Sequence, residues 1–286
     1  MNWTDRRRRF RAILAGGRCV HPGSVYDAIS ARIAEDLGFE LGMFAGSVAS
    51  MAVLGAPDLI VLTLSEFAGQ AYRICRAGNL ALLVDADHGY GNALSVKRTV
   101  EELESSGVAC LSIEDTELPQ PFAAPKPRLV SIEEGVGKMR AALAGRQDPL
   151  LAIAGRTGAA RITGLDDAIA RGRAYEAAGV DALFFVGLQS RAELDAVSAA
   201  TKLPIIMGGA SGELADTDYL AARRVRIALQ GHQPLAAAVK AVYDTLKALR
   251  EGVPPSKISG VADAALMKRV TRDADYDRWT KEWLGG

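Results

Sequence analysis

Cysteine and histidine are scarce, with three of each in 286 residues. Cys19, Cys75 and Cys110 are widely spaced and odd in number, and no CxxC or Cys/His ligand spacing occurs. That excludes a disulfide framework and a Cys/His zinc site, and it fits a reducing cytoplasm. Net charge is also missing: 34 Lys and Arg balance 34 Asp and Glu. A chain without basic bias is a poor partner for nucleic acid, whose affinity rests on neutralising phosphates. The single basic cluster, Arg6 to Arg9 with Arg11, reads as a solvated face of the first helix. No run approaches the ~18 apolar residues of a membrane span, and MNWTDRRRRF holds no stretch of signal-peptide length. The expectation is a soluble cytoplasmic protein with neither nucleic-acid nor membrane partner.

What the chain does have is a rhythm. Hydrophobic residues make up 49%, enough for a sizeable core. Eight short apolar runs, at 18–21, 41–45, 80–85, 110–114, 151–154, 182–186, 204–207 and 226–229, alternate with amphipathic stretches such as 28–38, 65–78, 95–107 and 165–179. Gly38, Gly78, Gly107 and Gly179 each follow a helical stretch, where a left-handed C-cap is wanted. The strands lack polar alternation, as expected when both faces are buried in a parallel sheet. Eight such units predict an α/β fold, a (β/α)₈ TIM barrel. An open doubly wound sheet is the alternative, but no GxGxxG follows the first strand. GGASG at 208–212 reads as an ordinary loop.

The barrel domain is expected to span 1–252. Residues 253–260 read as a linker and 262–284 as one or two helices carrying Trp279 and Trp283. A C-terminal extension (253–286) with apolar residues beyond a finished barrel favours docking on a partner subunit.

In such barrels the chemistry sits where strands end. Strand three runs into VDADHGYGN, placing Asp85 and Asp87 at the mouth; strand four ends in IEDTE, with Glu114 and Asp115. Four carboxylates there repel strongly, and a divalent cation relieves the conflict. An all-oxygen donor set favours Mg²⁺, or Mn²⁺, over zinc, with Asp85 as direct ligand and Asp87, Glu114 and Asp115 around it. The alternative is that these acids cap helices or pair with arginines. Arg156, in GRTGA, offers a forked cation suited to a carboxylate; Gly46 and Ser47, in AGSVAS, offer backbone N–H groups and a hydroxyl to an anionic oxygen. LQGHQP directs His232 toward the mouth. His88 reads as orienting the acidic loop, and His21 carries a weak case.

GSVAS at 46–50, DADHGYGN at 85–92, IEDT at 113–116, GRT at 155–157 and GH at 231–232 resemble, in consistent order over about residues 10–250, the isocitrate lyase/phosphoenolpyruvate mutase superfamily, most of all its bacterial oxaloacetate decarboxylase branch. The resemblance implies a Mg²⁺-dependent barrel acting on an α-keto acid through an enolate, and a homotetramer built as a dimer of dimers with a swapped C-terminal helix. It implies that Ser47 and Arg156 bind substrate oxygens, that Asp85 ligates the metal, that His232 lines the site, and that Asp58, in GAPDL, plays a supporting part.

The chain also departs from its relatives. The lyase K-[KR]-C-G-H loop signature is absent, because LPQPFAAPKPRLV (118–130) holds neither Cys nor His. Cys110 lies at the wrong end of the barrel and reads as core. Gly158 stands where relatives place an acid or amide, and MGGAS at 207–211 lacks the expected Tyr. No inferred strand ends in Lys, which disfavours a Schiff base. The expected reaction is oxaloacetate decarboxylation. A P–C bond mutase or hydrolase, a 2-methylisocitrate-type lyase and a non-catalytic keto-acid-binding barrel stay open as alternatives.

Overall fold

A computed structural model describes residues 3–285. They divide into two compact units, one ending at Gly231 and the other beginning at His232.

The first unit holds eight strands: β1 (Gly23–Ser24), β2 (Leu41–Phe44), β3 (Ala81–Asp85), β4 (Cys110–Glu114), β5 (Ala152–Thr157), β6 (Ala182–Phe185), β7 (Ile205–Met207) and β8 (Val225–Ala228). They pair in sequence order, all parallel. The expected first strand at 18–21 is displaced to Gly23–Ser24, yet Val20 supplies the closure. Its N–H donates to Arg226 O at 2.9 Å, and its carbonyl accepts from the Ala228 N–H at 3.0 Å. The segment from Val20 through β1 therefore reaches both β8 and β2, which makes the sheet a (β/α)₈ barrel and overturns the open-sheet alternative. Strand residues are buried on both faces, with Phe44, Leu82, Leu111, Ile153, Phe184 and Ile205 at 2% exposure or less. Each such side chain contributes about 1.5–3 kcal/mol relative to exposure.

Gly38, Gly107 and Gly179 have the positive φ of a left-handed cap. Gly78 does not. The helix before it, Leu64–Cys75, ends earlier, at Arg76.

The arginine run corrects the sequence reading. Arg6 and Arg7 are buried at 4% exposure, while Arg8 and Arg9 are exposed. Arg6 donates to the carbonyls of Cys75 and Gly78; Arg7 donates to those of Glu104 and Val108 and to Asp148; Arg11 donates to Leu150, Leu151 and Asp181. These carbonyls lie at the C-terminal ends of helices Leu64–Cys75 and Ala93–Ser105 and just ahead of β5. Helix ends leave orphan carbonyls and carry partial negative charge. Consecutive positions point about 100° apart on a helix, so a run of arginines cannot all face water. Helix Trp3–Ala15, anchored also by Phe10, thus covers the strand N-termini, the end opposite the chemistry.

The second unit contains the helix Gln233–Arg250, a short turn at Pro255–Lys257, and the helices Ala264–Thr271 and Asp273–Leu284. Val239, Val242, Tyr243 and Leu246 on the first helix and Tyr276, Trp283 and Leu284 on the last are exposed. Trp279 and Trp283 stack at 5.5 Å. No helix among the described residues is long and apolar enough to cross a membrane. All three cysteines are free.

Candidate active site

A cavity of about 420 Å³ opens at the C-terminal ends of β3 to β6, lined by Asp58, Asp85, Asp87, Glu114, Arg156 and Arg161 among others. This lies in the size range of small-molecule sites. Asp85 closes β3 and Glu114 closes β4, while Arg156 lies inside β5, which runs three residues beyond the stretch 151–154 expected for it. Glu114 is paired in register with Arg156, and Asp85 with Ser112. The register sets Glu114 level with Arg156 and Asp85 two residues lower, so the fork of Arg156 spans both carboxylates. Arg156 Nη1 hydrogen-bonds Asp85 Oδ2, and its Nη2 stands 3.1 Å from Glu114 Oε2. Ser112 Oγ donates to Asp85 Oδ1 at 3.2 Å, and the guanidinium lies over the Phe184 ring at 5.5 Å.

Asp87 sits two residues past Asp85 with φ +48, a left-handed conformation that aspartate tolerates. Its N–H donates to Asp85 Oδ1 at 3.3 Å, and its carbonyl accepts from the Glu114 N–H at 2.8 Å. This small loop ties β3 to β4 and turns a third carboxylate into the cavity. Beneath it, Lys138 Nζ donates to the His88 carbonyl at 3.0 Å. His88 is 4% exposed, and burial with the nearby Lys138 lowers its pKa to about 4, so it is neutral near pH 7. Its place is in the support of the acidic loop.

The electrostatics are lopsided. Burial, then the charges of Asp85, Glu114 and Asp58, push the Asp87 carboxyl well above the usual carboxylate range. Burial raises Glu114 to about 7, against the pull of Arg156. Burial and Asp85 raise Asp58 as well. Burial opposes the charge on Arg156, but Asp85 and Glu114 outweigh it and hold the guanidinium protonated.

Asp115 goes elsewhere. Successive residues of a strand point to opposite faces, so Glu114 enters the mouth and Asp115 faces the helix layer. There its Oδ2 accepts from Arg171 Nη1 at 3.1 Å and Tyr175 OH at 2.7 Å, with no exposure to solvent. Arg171 and Tyr175 are one turn apart on helix Leu165–Ala178. The cavity's fourth carboxylate is Asp58.

Gly46 and Ser47 occupy the one-turn helix Gly46–Ala49 directly after β2, with Ser47 half-buried. Neither is among the residues lining the cavity, although Gly46 backs directly onto Asp87. His232 opens the second unit as N-cap of helix Gln233–Arg250. Sequence reasoning missed Arg161, Thr116, Leu118 and Gln120, all of which line the cavity. The last three belong to the segment after β4, whose neck is closed by the Thr116–Leu129 bridge and the Glu117–Arg128 ion pair at 3.0 Å.

Among the described residues, no three His, Cys, Asp or Glu side chains converge as a direct metal cage. Mg²⁺ needs no such cage, since it keeps several waters and takes one or two carboxylates. Acids pushed upward by burial and by one another, with oxygen donors only, suit a hard cation held largely through water.

The phosphoenolpyruvate phosphomutase family matches residues 10–250. An oxaloacetate decarboxylase of Bradyrhizobium diazoefficiens is 65% identical over 285 residues, covering 100% of this chain and 99% of that protein. One from Rhodopseudomonas palustris (strain BisB18) is 62% identical with the same coverage. Among solved structures, oxaloacetate acetylhydrolase in complex with the product oxalate has a TM-score of 0.85 at 28% identity, covering 99% of both chains. Phosphonopyruvate hydrolase with oxalate and Mg²⁺ reaches 0.85 at 27% identity, covering 98% of this chain and 99% of its own. With the family's match running through β2 to β8 and every strand end that lines the cavity, the chain belongs to the phosphoenolpyruvate phosphomutase family, within the phosphoenolpyruvate mutase/isocitrate lyase superfamily.

Proposed function

We propose that this protein decarboxylates oxaloacetate, or a close α-keto acid, to pyruvate and CO₂ with Mg²⁺ (or Mn²⁺) as cofactor. The observation that carries the reading is the surplus of carboxylates at the ends of β3 and β4, bridged by the single guanidinium of Arg156, in a chain 65% identical to a protein named oxaloacetate decarboxylase. Asp85 would hold the cation, with Asp87 and Glu114 binding its waters; Asp115, also expected there, would act through the loop from behind. When bound, the ion supplies a Lewis acid for charge developing on the keto oxygen.

The side chains do the rest. Arg156 grips the carboxylate beside the keto group through its fork. Ser47 and the amides at Gly46 orient the keto oxygen. The C3–C4 bond breaks, its electron pair passes into the enolate, and the C4 carboxylate leaves as neutral CO₂. A proton delivered to C3 completes pyruvate, the part the sequence pattern assigns to His232. Asp58, whose carboxyl burial and Asp85 push upward, plays a supporting part in the cavity wall.

We place the protein in the cytoplasm, consistent with three free cysteines, and assign the barrel to 1–252 and a helical extension to 253–286. The exposed apolar residues of helices Gln233–Arg250 and Asp273–Leu284 support a homotetramer, a dimer of dimers exchanging the C-terminal helix.

The test is pyruvate formation from oxaloacetate with and without Mg²⁺, comparing wild type with Asp85→Ala and subtracting metal-only decarboxylation. A metal-dependent rate at least ~10²-fold above the variant supports the reading, since losing a charge-stabilising centre costs several kcal/mol. Equal rates reject it, and phosphate release from phosphonopyruvate would then identify P–C bond chemistry.

A further inference from the structure

Among the described residues, two cationic side chains, Arg156 and Arg161, line a cavity that also holds four carboxylates. Arg156 is engaged by Asp85 and Glu114. Arg161 is placed differently, on the one-turn helix Ala159–Ile162 that follows β5. Its Nη2 donates to both carboxylate oxygens of Glu193, at 2.9 and 2.6 Å, while the Nη1 bond to the Ala160 carbonyl is long at 3.4 Å. Glu193 also accepts from the Gln189 N–H at 2.6 Å, so it keeps a partner when the guanidinium is shared.

The wall is shaped for this side chain. A β-carbon on Gly187 would stand 2.6 Å from Arg161 Cγ, and Gly187 adopts φ +89. Only glycine lets the arginine stem lie along the cavity there. The other lining residues on its own loop and at the end of β6, namely Gly158, Ile162 and Val186, are uncharged.

We propose that Arg161 determines specificity by binding the carboxylate of the substrate that is remote from the keto group. This rests on the keto-dicarboxylate reading above. A dianion entering a carboxylate-rich cavity needs a second cation besides Arg156, whose fork takes the carboxylate beside the keto group; Arg161, shared with Glu193 on the cavity wall, presents another fork. The remote carboxylate departs as neutral CO₂, so this contact stabilises the bound substrate and weakens toward the transition state. Arg161 therefore lowers KM without raising kcat.

The experiment measures calorimetric binding, in Mg²⁺, of oxalate and of 3,3-difluorooxaloacetate to wild type, Arg161→Gln and Arg161→Lys. Oxalate has no remote carboxylate; the difluoro compound has one. Arg161→Gln is expected to bind the difluoro compound about 10- to 100-fold more weakly, the worth of one charge-assisted pair, while oxalate binding holds within about 2-fold and Arg161→Lys recovers part of the loss. In turnover, KM for oxaloacetate rises by the same factor and kcat stays level or climbs. Equal weakening of both ligands, or no weakening of the difluoro compound, overturns the assignment. A wild type that binds both compounds but fails to decarboxylate oxaloacetate overturns the reaction instead, and the binding comparison still decides Arg161.

Discussion

Gly46 and Asp87 are packed so closely that a β-carbon at position 46 would lie 2.5 Å from Asp87 Oδ1 and 2.8 Å from Oδ2. The carboxylate cannot retreat easily, because Asp87 is already in a left-handed conformation and its backbone is tied to Glu114. Gly46→Ala is thus expected to push one acid out of the cavity and leave the barrel intact. We expect kcat/KM for oxaloacetate to fall about 10²-fold, the usual consequence of an ångström-scale misplacement. Thermal unfolding should shift by a few degrees at most. Full activity in Gly46→Ala would mean that the position of Asp87 does not matter.

Asp115 and Glu114 are neighbours with opposite duties, and their variants should separate accordingly. Asp115→Asn removes one of the two carboxylates paired with the buried Arg171, leaving Asp167 at 2.9 Å, and weakens the acceptor of Tyr175 OH. Weakening hydrogen bonds to a charged group costs about 1.5–3 kcal/mol. Denaturant unfolding should show that loss, and the residual folded enzyme should keep a near-native KM. Tyr175→Phe, which removes one hydrogen bond, should cost about 1–2 kcal/mol. A stable Asp115→Asn protein with a raised KM would put Asp115 in the substrate site after all.

Much of this arrangement was legible in the sequence. Eight apolar runs gave the strand count because buried parallel strands need continuous hydrophobicity, and Asp85, Asp87, Glu114 and Arg156 were found because barrel chemistry collects at strand ends. What escaped was side-chain direction. IEDT places two acids side by side on paper, and the pleat alone sends Asp115 to the helix layer. Arg161 escaped because it follows Arg156 by five residues on a helix of a single turn, too short for periodicity to say which way it faces. The arginines of the first helix misled for the opposite reason. Charge runs are usually solvated, but the carbonyls at helix ends, with Asp148, draw Arg6 and Arg7 inward.

Metal removal provides a readout independent of catalysis. A cation that binds the folded protein alone stabilises it by RT ln(1 + [L]/Kd), about 2.7 kcal/mol at 100 times Kd. Adding Mg²⁺ to chelator-treated protein should raise its Tm by several degrees. Asp85→Asn should abolish that response, because the carboxylate assigned to direct ligation is gone. It should also leave Arg156 with Glu114 as its remaining close ion-pair partner. An unchanged Mg²⁺ response in Asp85→Asn would move the ligand role to Asp87 or Glu114.

At the opposite end of the barrel, Asp148 joins the first helix to the body and supplies a pH dependence unrelated to catalysis. Burial raises its pKa, but hydrogen bonds from Arg7, the Leu150 N–H and Thr4 outweigh that and lower it below the usual aspartate value of 3.8. Arg7 Nη1 lies 2.9 Å from Oδ2, Thr4 Oγ1 3.1 Å from the same oxygen, and the Leu150 N–H 2.9 Å from Oδ1. A carboxyl depressed on folding contributes stability that is present above its unfolded pKa and is lost as pH falls through the folded one. Asp148→Asn should therefore be less stable than wild type at pH 7 by about 1.5–3 kcal/mol, the range for hydrogen bonds to a charged group. The gap should stay constant down to about pH 5, begin to close below about pH 4 as the unfolded chain takes up its proton, and be lost as pH falls through the lower folded-state value. Urea unfolding of both proteins across that range measures it. A gap that persists undiminished at pH 3 would assign the loss to altered packing of the helix rather than to the charge of Asp148.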